Sequence, residues 1–317
     1  MSIAPYIKEI GRGREGARSL TQAQAHDVMR QILDGQVTDL EIGAFAIAMR
    51  IKGETVDELA GFLHAVHERC IPLHPQHATV VLPSYNGARK LPNLTALLAL
   101  LLAQEGVQVL VHGPEHDPGR ITTAEIFHTL GLPCAEDTAD IHAAWQRREP
   151  VFMRTEALCP PLARLLDARR VIGLRNPAHT VAKLLTPCRQ TPSLRVVNYT
   201  HPEYGTTLTH FLAQTKADAM LMRGTEGEPV ADPRRLQRLD VFLDGQFRPE
   251  LSRGAQEGVL TELPVLPRSH DAATTALYIQ SVVSGEKPAP APLQQQVEAL
   301  LAALAALQQP QSREKTA

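Results

Sequence analysis

Aromatic residues make up only 4% of this 317-residue chain, with a single tryptophan. So few rings argue against a base-stacking platform as the main binding device. A dominant charge sign is missing as well: 32 Lys and Arg face 34 Asp and Glu. Any basic surface must therefore come from uneven distribution along the chain. Cysteine is scarce, and Cys70, Cys134, Cys159 and Cys188 form no C-x-x-C. That argues against a zinc site and a disulfide framework, and agrees with a reducing compartment. No basic stretch followed by an apolar one opens the chain, and the apolar run Leu97 to Ala103 is far too short to cross a bilayer. The expectation is a cytoplasmic protein without a membrane partner. Walker A, G-x-S-x-G and H-E-x-x-H patterns are also missing, and Ser84 has no nominated base, so no catalytic residue is assigned.

What is present divides the chain. Its length and 44% hydrophobic content support two lobes with real cores. Three capping boxes recur early: Thr21 with Gln24, Thr38 with Glu41, Thr55 with Glu58. In each, the threonine hydroxyl satisfies an orphan N–H and the acid or amide reaches back to the cap. Gly35 and Gly53 close the first two helices and Pro72 limits the third. Residues 1–75 thus read as a helical lobe. Ahead of the boxes, Arg12, Arg14 and Arg18 sit in a glycine-flexible loop suited to a polyanion.

From Val80 onward, short apolar strands alternate with amphipathic helices. Strands are predicted at Val80–Leu82, Val107–Val111, Val151–Met153, Val196–Tyr199 and Ala219–Met222, and a long apolar helix from Asn93. That rhythm implies an α/β lobe over 76–287 with a mostly parallel sheet, whose ligands sit beyond the carboxyl ends of its strands. Residues 156–188 interrupt the rhythm with helices that return to the N-terminal lobe. Between Pro160 and Val197 stand Arg164, Arg169, Arg170, Arg175, Lys183, Arg189 and Arg195, opposed only by Asp167. Residues 288–317 read as a proline spacer, an amphipathic helix over Leu293–Leu307 that docks on its own body, and a disordered tail.

The strand-turn-helix from Val80 to Thr95 is placed like a phosphate loop, aiming backbone N–H groups at an anion. Its turn has one glycine, Gly87, no acid, and two cations, Arg89 and Lys90. After the next strand, His112-Gly113 can meet a ligand, with Gly113 allowing close backbone approach. Glu115, His116 and Asp117 are neighbours on a loop that rarely converge on one ion, so no metal and no cofactor are assigned. Thr225-Glu-Gly-Glu228 reads as a tight turn exposing two acids, with Mg²⁺ binding the less favoured reading.

The order of these pieces resembles the anthranilate phosphoribosyltransferases and their nucleoside phosphorylase relatives, and most of all the YbiB-type proteins among them. The shared signatures are Pro83-Ser-Tyr-Asn-Gly-Ala-Arg-Lys90, Cys159-Pro-Pro-Leu162, Arg175-Asn with Ala178-His-Thr180, Thr186-Pro187, His201-Pro-Glu-Tyr204 and Gly224-Thr-Glu-Gly-Glu228. The resemblance implies a small all-α lobe plus a large α/β lobe, a homodimer through the small lobes, and nucleic-acid (DNA or RNA) binding with little sequence preference. It also implies a vestigial donor site at Ser84, Asn86, Gly87, Asn93, Thr95, His112 and Gly113. The enzymes' glycine-rich pyrophosphate loop is replaced here, with Tyr85 expected to put a ring where bare backbone should meet phosphate. Val111 stands for their lysine, and their metal-binding acid pair has no counterpart beyond Glu228-Pro229. The nucleic-acid contacts implied are Arg12, Arg14, Arg89, Lys90, Arg120, Arg169, Arg170, Arg175 and Lys183, with Asn176 and His179 as hydrogen-bonding partners of phosphate. The alternative is a phosphoribosyl or glycosyl transferase with an altered donor site.

Overall fold

A computed structural model describes residues 2–13, 15–188 and 190–308. Four helices open the chain: α1 (Ala4–Ile10), α2 (Gln22–Leu33), α3 (Asp39–Lys52) and α4 (Val56–His67). The three expected capping boxes are complete, each threonine accepting from the N3 amide while the N3 side chain accepts from the cap amide. Glu58 goes further. Fully buried, it also accepts from the Leu20 amide and pairs with Lys52 at 2.6 Å, so one carboxylate ties α3 and α4 to the segment leading into α2.

Next come β1 (Thr79–Pro83), α5 (Thr95–Gln104), β2 (Gln108–Gly113), α6 (Thr123–Leu130), β3 (Cys134–Ala135), α7 (Thr138–Gln146) and β4 (Val151–Arg154). Then α8 (Thr155–Leu158), α9 (Pro160–Ile172) and α10 (Ala178–Leu184) precede β5 (Ser193–Tyr199), α11 (Pro202–Gln214) and β6 (Ala219–Arg223). The chain continues with β7 (Leu239–Leu243), β8 (Gln246–Phe247), α12 (Ala272–Val283) and α13 (Ala291–Gln308). One eight-stranded sheet has the order β3-β4-β2-β1-β5-β6-β7-β8. It is parallel through β6, and antiparallel at the β6–β7 and β7–β8 pairs. No helix of the described residues is long and apolar enough to cross a membrane.

Alternation along the strands splits the core in two. Val81, Leu110, Val151 and Val197 face the helical lobe with α9, α10 and α11. Val80, Leu82, Val109, Val111 and Val196 face α5, α6, α12 and α13. The 156–188 helices do return to the N-terminal ones: Arg164 donates to the Leu33 carbonyl, and the Ile71 amide to that of Leu158. Helix α13 docks on the body through Leu293, Leu300 and Leu304, and its buried Gln296 binds the Ala231 amide. Residues 309–317, expected to be disordered, lie outside the described residues.

Three expectations need correction. The helix expected from Asn93 begins at Thr95, because the Asn93 side chain accepts from the Thr95 amide in a local turn. The β7–β8 hairpin was not expected; its signal is Asp244-Gly245, both at positive φ (49° and 72°). Arg195 belongs to no basic face. It lies buried in β5, donates to the Leu184 carbonyl, and burial pulls its pKa down to about 10.

Candidate functional site

The loop after β1 has the backbone of an anion site, and the protein's own acids occupy it. Glu228 is buried at the loop after β6. Its Oε1 accepts from the Asn86 and Gly87 amides at 2.7 and 2.6 Å. Its Oε2 accepts from Ser84 Oγ, and from Thr95 and Thr123 hydroxyls at 3.4 and 3.5 Å. Thr95 opens α5, so the carboxylate also lies at a helix N-terminus, where negative charge is favoured. Glu226 closes the rest of the loop, accepting from the amides of Arg89, Lys90 and Leu91 at 2.8, 3.0 and 3.2 Å. Burial opposes its ionisation, but those amides outweigh burial and hold it below the usual carboxylate range. The turn expected to expose two acids instead places both against backbone donors.

The remaining donor-site residues gather at the same point but are committed to structure. Asn93 Nδ2 donates to Thr123 Oγ1 at 2.8 Å. Gly113 is required by contact with the β1 loop, since a Cβ there would lie 1.8 Å from the Ser84 carbonyl oxygen. His112 turns inward. It is fully buried between the Tyr85 hydroxyl (3.0 Å) and the Leu185 carbonyl (3.2 Å), and burial pushes its pKa down to about 4. Tyr85 corrects its expectation: the ring folds into the core, its hydroxyl also accepting from Thr155, and leaves the loop amides free to meet Glu228.

Beside this loop lie three neighbouring recesses rich in cations. The first, about 540 Å³, takes in Arg89, Arg120, Arg169 and Arg170, opposed by Asp117, Glu156 and Asp167. The second, about 410 Å³, holds Arg50, Arg175 and Lys183, opposed by Glu54 and Glu203. It shares His179 with the first. The third, about 530 Å³, shares Tyr199 with the second and is lined by Arg223, Arg234, Arg235 and Arg238, opposed by Glu226 and Asp232. Arg169 pairs with Asp117, Arg170 with Asp167, Arg234 with Asp232 and Arg238 with Asp240. Arg50, Arg89, Lys90, Arg120, Arg175, Lys183, Arg223 and Arg235 have no ion-pair partner among the described residues.

The cations depress one another. Burial, then Arg175 and Arg169, push His179 down to about 3. Burial, then Arg175, push Lys183 down to about 8. Arg175 is itself lowered by burial and by Arg169, Arg120 and Arg50. The opposing Glu54 is pushed up by burial, which weakens its charge. These mutual shifts mark positive charges crowded close together, an arrangement that an incoming anion would relieve.

The structure therefore brings Arg89, Arg120, Arg169, Arg170, Arg175, Lys183 and His179 together. Lys90 is exposed on the same loop. Arg12 does not join them: it pairs with Glu9 and lines none of the three recesses. Arg14 lies outside the described residues. Asn176 lines the second recess but is nearly fully buried, and its side chain is engaged at the helix start, donating to the Leu165 carbonyl and accepting from the Ala178 amide. Arg164 lines the α3–α9 groove instead. Sequence reading missed Arg50, which α3 carries in from the helical lobe, and Arg223, Arg234, Arg235 and Arg238. The last three stand in Asp232-Pro-Arg-Arg-Leu-Gln-Arg238, a short basic run that was itself a legible signal.

Residues 4–70 match the model of a glycosyl transferase family helical bundle domain. The chain is 40% identical over 306 residues to an uncharacterized protein, YbiB, of Escherichia coli, covering 96% of this chain and 94% of that one. It is 28% identical over 271 residues to the anthranilate phosphoribosyltransferase of Acidothermus cellulolyticus, covering 85% and 76%. Among solved structures, the anthranilate phosphoribosyltransferase of Thermus thermophilus matches with a TM-score of 0.66 at 20% identity, over 95% of this chain and 92% of that one. The Saccharomyces cerevisiae enzyme in complex with PRPP and Mg matches with a TM-score of 0.62 at 12% identity, over 96% and 94%. The helical N-terminal domain and the mostly parallel α/β domain are thus those of the anthranilate phosphoribosyltransferase fold.

Proposed function

The chain belongs to the family of Escherichia coli YbiB and is homologous to the anthranilate phosphoribosyltransferases, and on that premise we propose that it binds nucleic-acid backbones without sequence preference, over a donor loop closed by its own carboxylates. The observation that carries this reading is the crowding of cations around His179, with Arg120, Arg175 and Lys183 free of ion pairs among the described residues, spread over neighbouring recesses and not focused on one point. A single pyrophosphate would need the loop amides that Glu228 and Glu226 occupy. A polyanion needs only the side chains, which neutralise phosphates one by one.

The working unit in this reading is a homodimer through the helical lobe. Leu40, Ile47 and Ile51 fall on one face of α3 and are 83%, 45% and 65% exposed, with Val171 of α9 at 91%. Exposed apolar side chains grouped on one helix face mark an interaction surface, and the groove between α3 and α9, lined by Val171, lies on the same lobe.

Titrating a labelled oligonucleotide at several salt concentrations tests the main reading. Log K should fall by roughly 0.9 per phosphate contacted for each decade of salt, and a flat response would overturn it. Kinship favours a second reading, a phosphoribosyl or related glycosyl transferase with an altered donor site. Calorimetry with phosphoribosyl pyrophosphate and Mg²⁺ separates the two: micromolar binding supports the transferase, and silence removes that donor.

A further inference from the structure

Away from the cleft residues, α2 and α4 bring two imidazoles and a carboxylate onto one spot. The geometry points to a divalent transition-metal site of the zinc type formed by His26, His64 and Glu68. His26 Nε2 lies 3.0 Å and His64 Nε2 3.6 Å from the same oxygen, Glu68 Oε1. The three ligand atoms all lie within 4.8 Å of one another. An ion holding nitrogen and oxygen ligands at about 2.0–2.2 Å in tetrahedral geometry separates them by about 3.3 Å; the two nitrogen–oxygen spacings bracket that value, and the two imidazole nitrogens close on it from within 4.8 Å when the exposed His64 side chain turns.

The scaffold under this site is fixed before any ion arrives. His64 and Glu68 stand one helical turn apart on the same face, and His26 comes from the neighbouring helix. The two helices meet at Gly61, where a Cβ would lie 2.3 Å from the Gln22 carbonyl oxygen and 2.8 Å from the His26 backbone amide nitrogen. That close approach carries His26 to within ring contact of His64, with centroids 4.8 Å apart. Complete capping boxes hold the start of each helix. Glu68 is oriented as well: Arg69 donates to its Oε2 at 3.0 Å while Arg69 is anchored on Asp34 at 2.6 Å. The other oxygen, Oε1, therefore faces the two rings.

The donor set selects the ion. Two imidazoles and one carboxylate suit zinc, nickel or copper and disfavour magnesium and calcium. The His64 side chain is 64% exposed, so a remaining coordination position is open to water and the ion can enter without unfolding. The sequence expectation of no metal rested on the missing C-x-x-C and on adjacent loop residues, and neither tests a pair of ligands 42 positions apart.

The test is zinc chloride titrated into the metal-free full-length chain, followed by calorimetry and by thermal melts. One equivalent should bind, raise Tm, and be reversed by a chelator. His64→Ala, at an exposed position, and Glu68→Gln should each weaken binding by about tenfold or more, with unchanged far-UV circular dichroism. Absence of saturable binding would overturn the proposal. So would wild-type affinity in either variant, or magnesium binding as tightly as zinc.

Discussion

At the scale of single residues, Glu228 decides what the loop after β1 can hold. Its carboxylate presents oxygens to two backbone amides and three hydroxyls, the donor set that a phosphate would use. Replacing it with alanine leaves the Asn86 and Gly87 amides buried without an acceptor, at about 1–3 kcal/mol for each orphaned group. Glu228→Ala should therefore melt several degrees lower than the wild type, and millimolar inorganic pyrophosphate should restore part of the loss in the variant alone. Thermal melts with and without pyrophosphate check this, and a variant as stable as the wild type would show that the contacts carry no energy. The loop itself was legible in Ser84 to Gly87, because strand, turn and helix start are local. Its occupant was not, because the acids arrive 142 positions later on another strand's loop, and only the parallel register of β1, β5 and β6 brings the two loops together.

At the scale of elements, the same distinction separates what sequence reading captures. Capping boxes are fixed by residues three apart, and all of those expected form. Strand positions follow from apolar runs and agree within a few residues. The side-chain partners of buried cations depend on tertiary packing, which is why Arg195 reads as surface charge in the sequence although it is closed inside the sheet. Helix α3 carries a consequence of its own pattern. Leu40, Ile47 and Ile51 recur at helical spacing on its exposed face, while Phe45 and Met49 fill the core. Since Ile47 is outside the core, Ile47→Glu should leave the fold intact and weaken self-association by about 30-fold or more, the effect of losing a central apolar anchor. Sedimentation velocity across a concentration series measures this. A wild type that is monomeric throughout would remove the homodimer from the proposal.

At the scale of the molecule, both lobes supply charge to one cleft, Arg50 from α3 and Arg175 and Lys183 from the helices that return to the helical lobe. Burial and mutual repulsion place Lys183 near pH 8 while its ordinary value is 10.5. Below about pH 8 the lysine is charged in both folded and unfolded chains, and the folded state carries the whole cost. Between about 8 and 10.5 the unfolded chain keeps a proton the folded chain has released, so stability rises with pH through that window. Lys183→Met should consequently be more stable than the wild type at pH 7, with the difference shrinking by pH 10. Bound phosphates reverse the balance by stabilising the charged amine. Oligonucleotide affinity should then be full below about pH 8 and fall as pH rises through it, and Lys183→Met should bind more weakly with a flatter profile. Denaturant titrations at both pH values, paired with binding curves at fixed salt, read the two effects on one protein sample. If wild-type stability and affinity were both flat across pH 8, Lys183 would lie outside the cation field, and the cleft would lose the group that links its strain to its ligand.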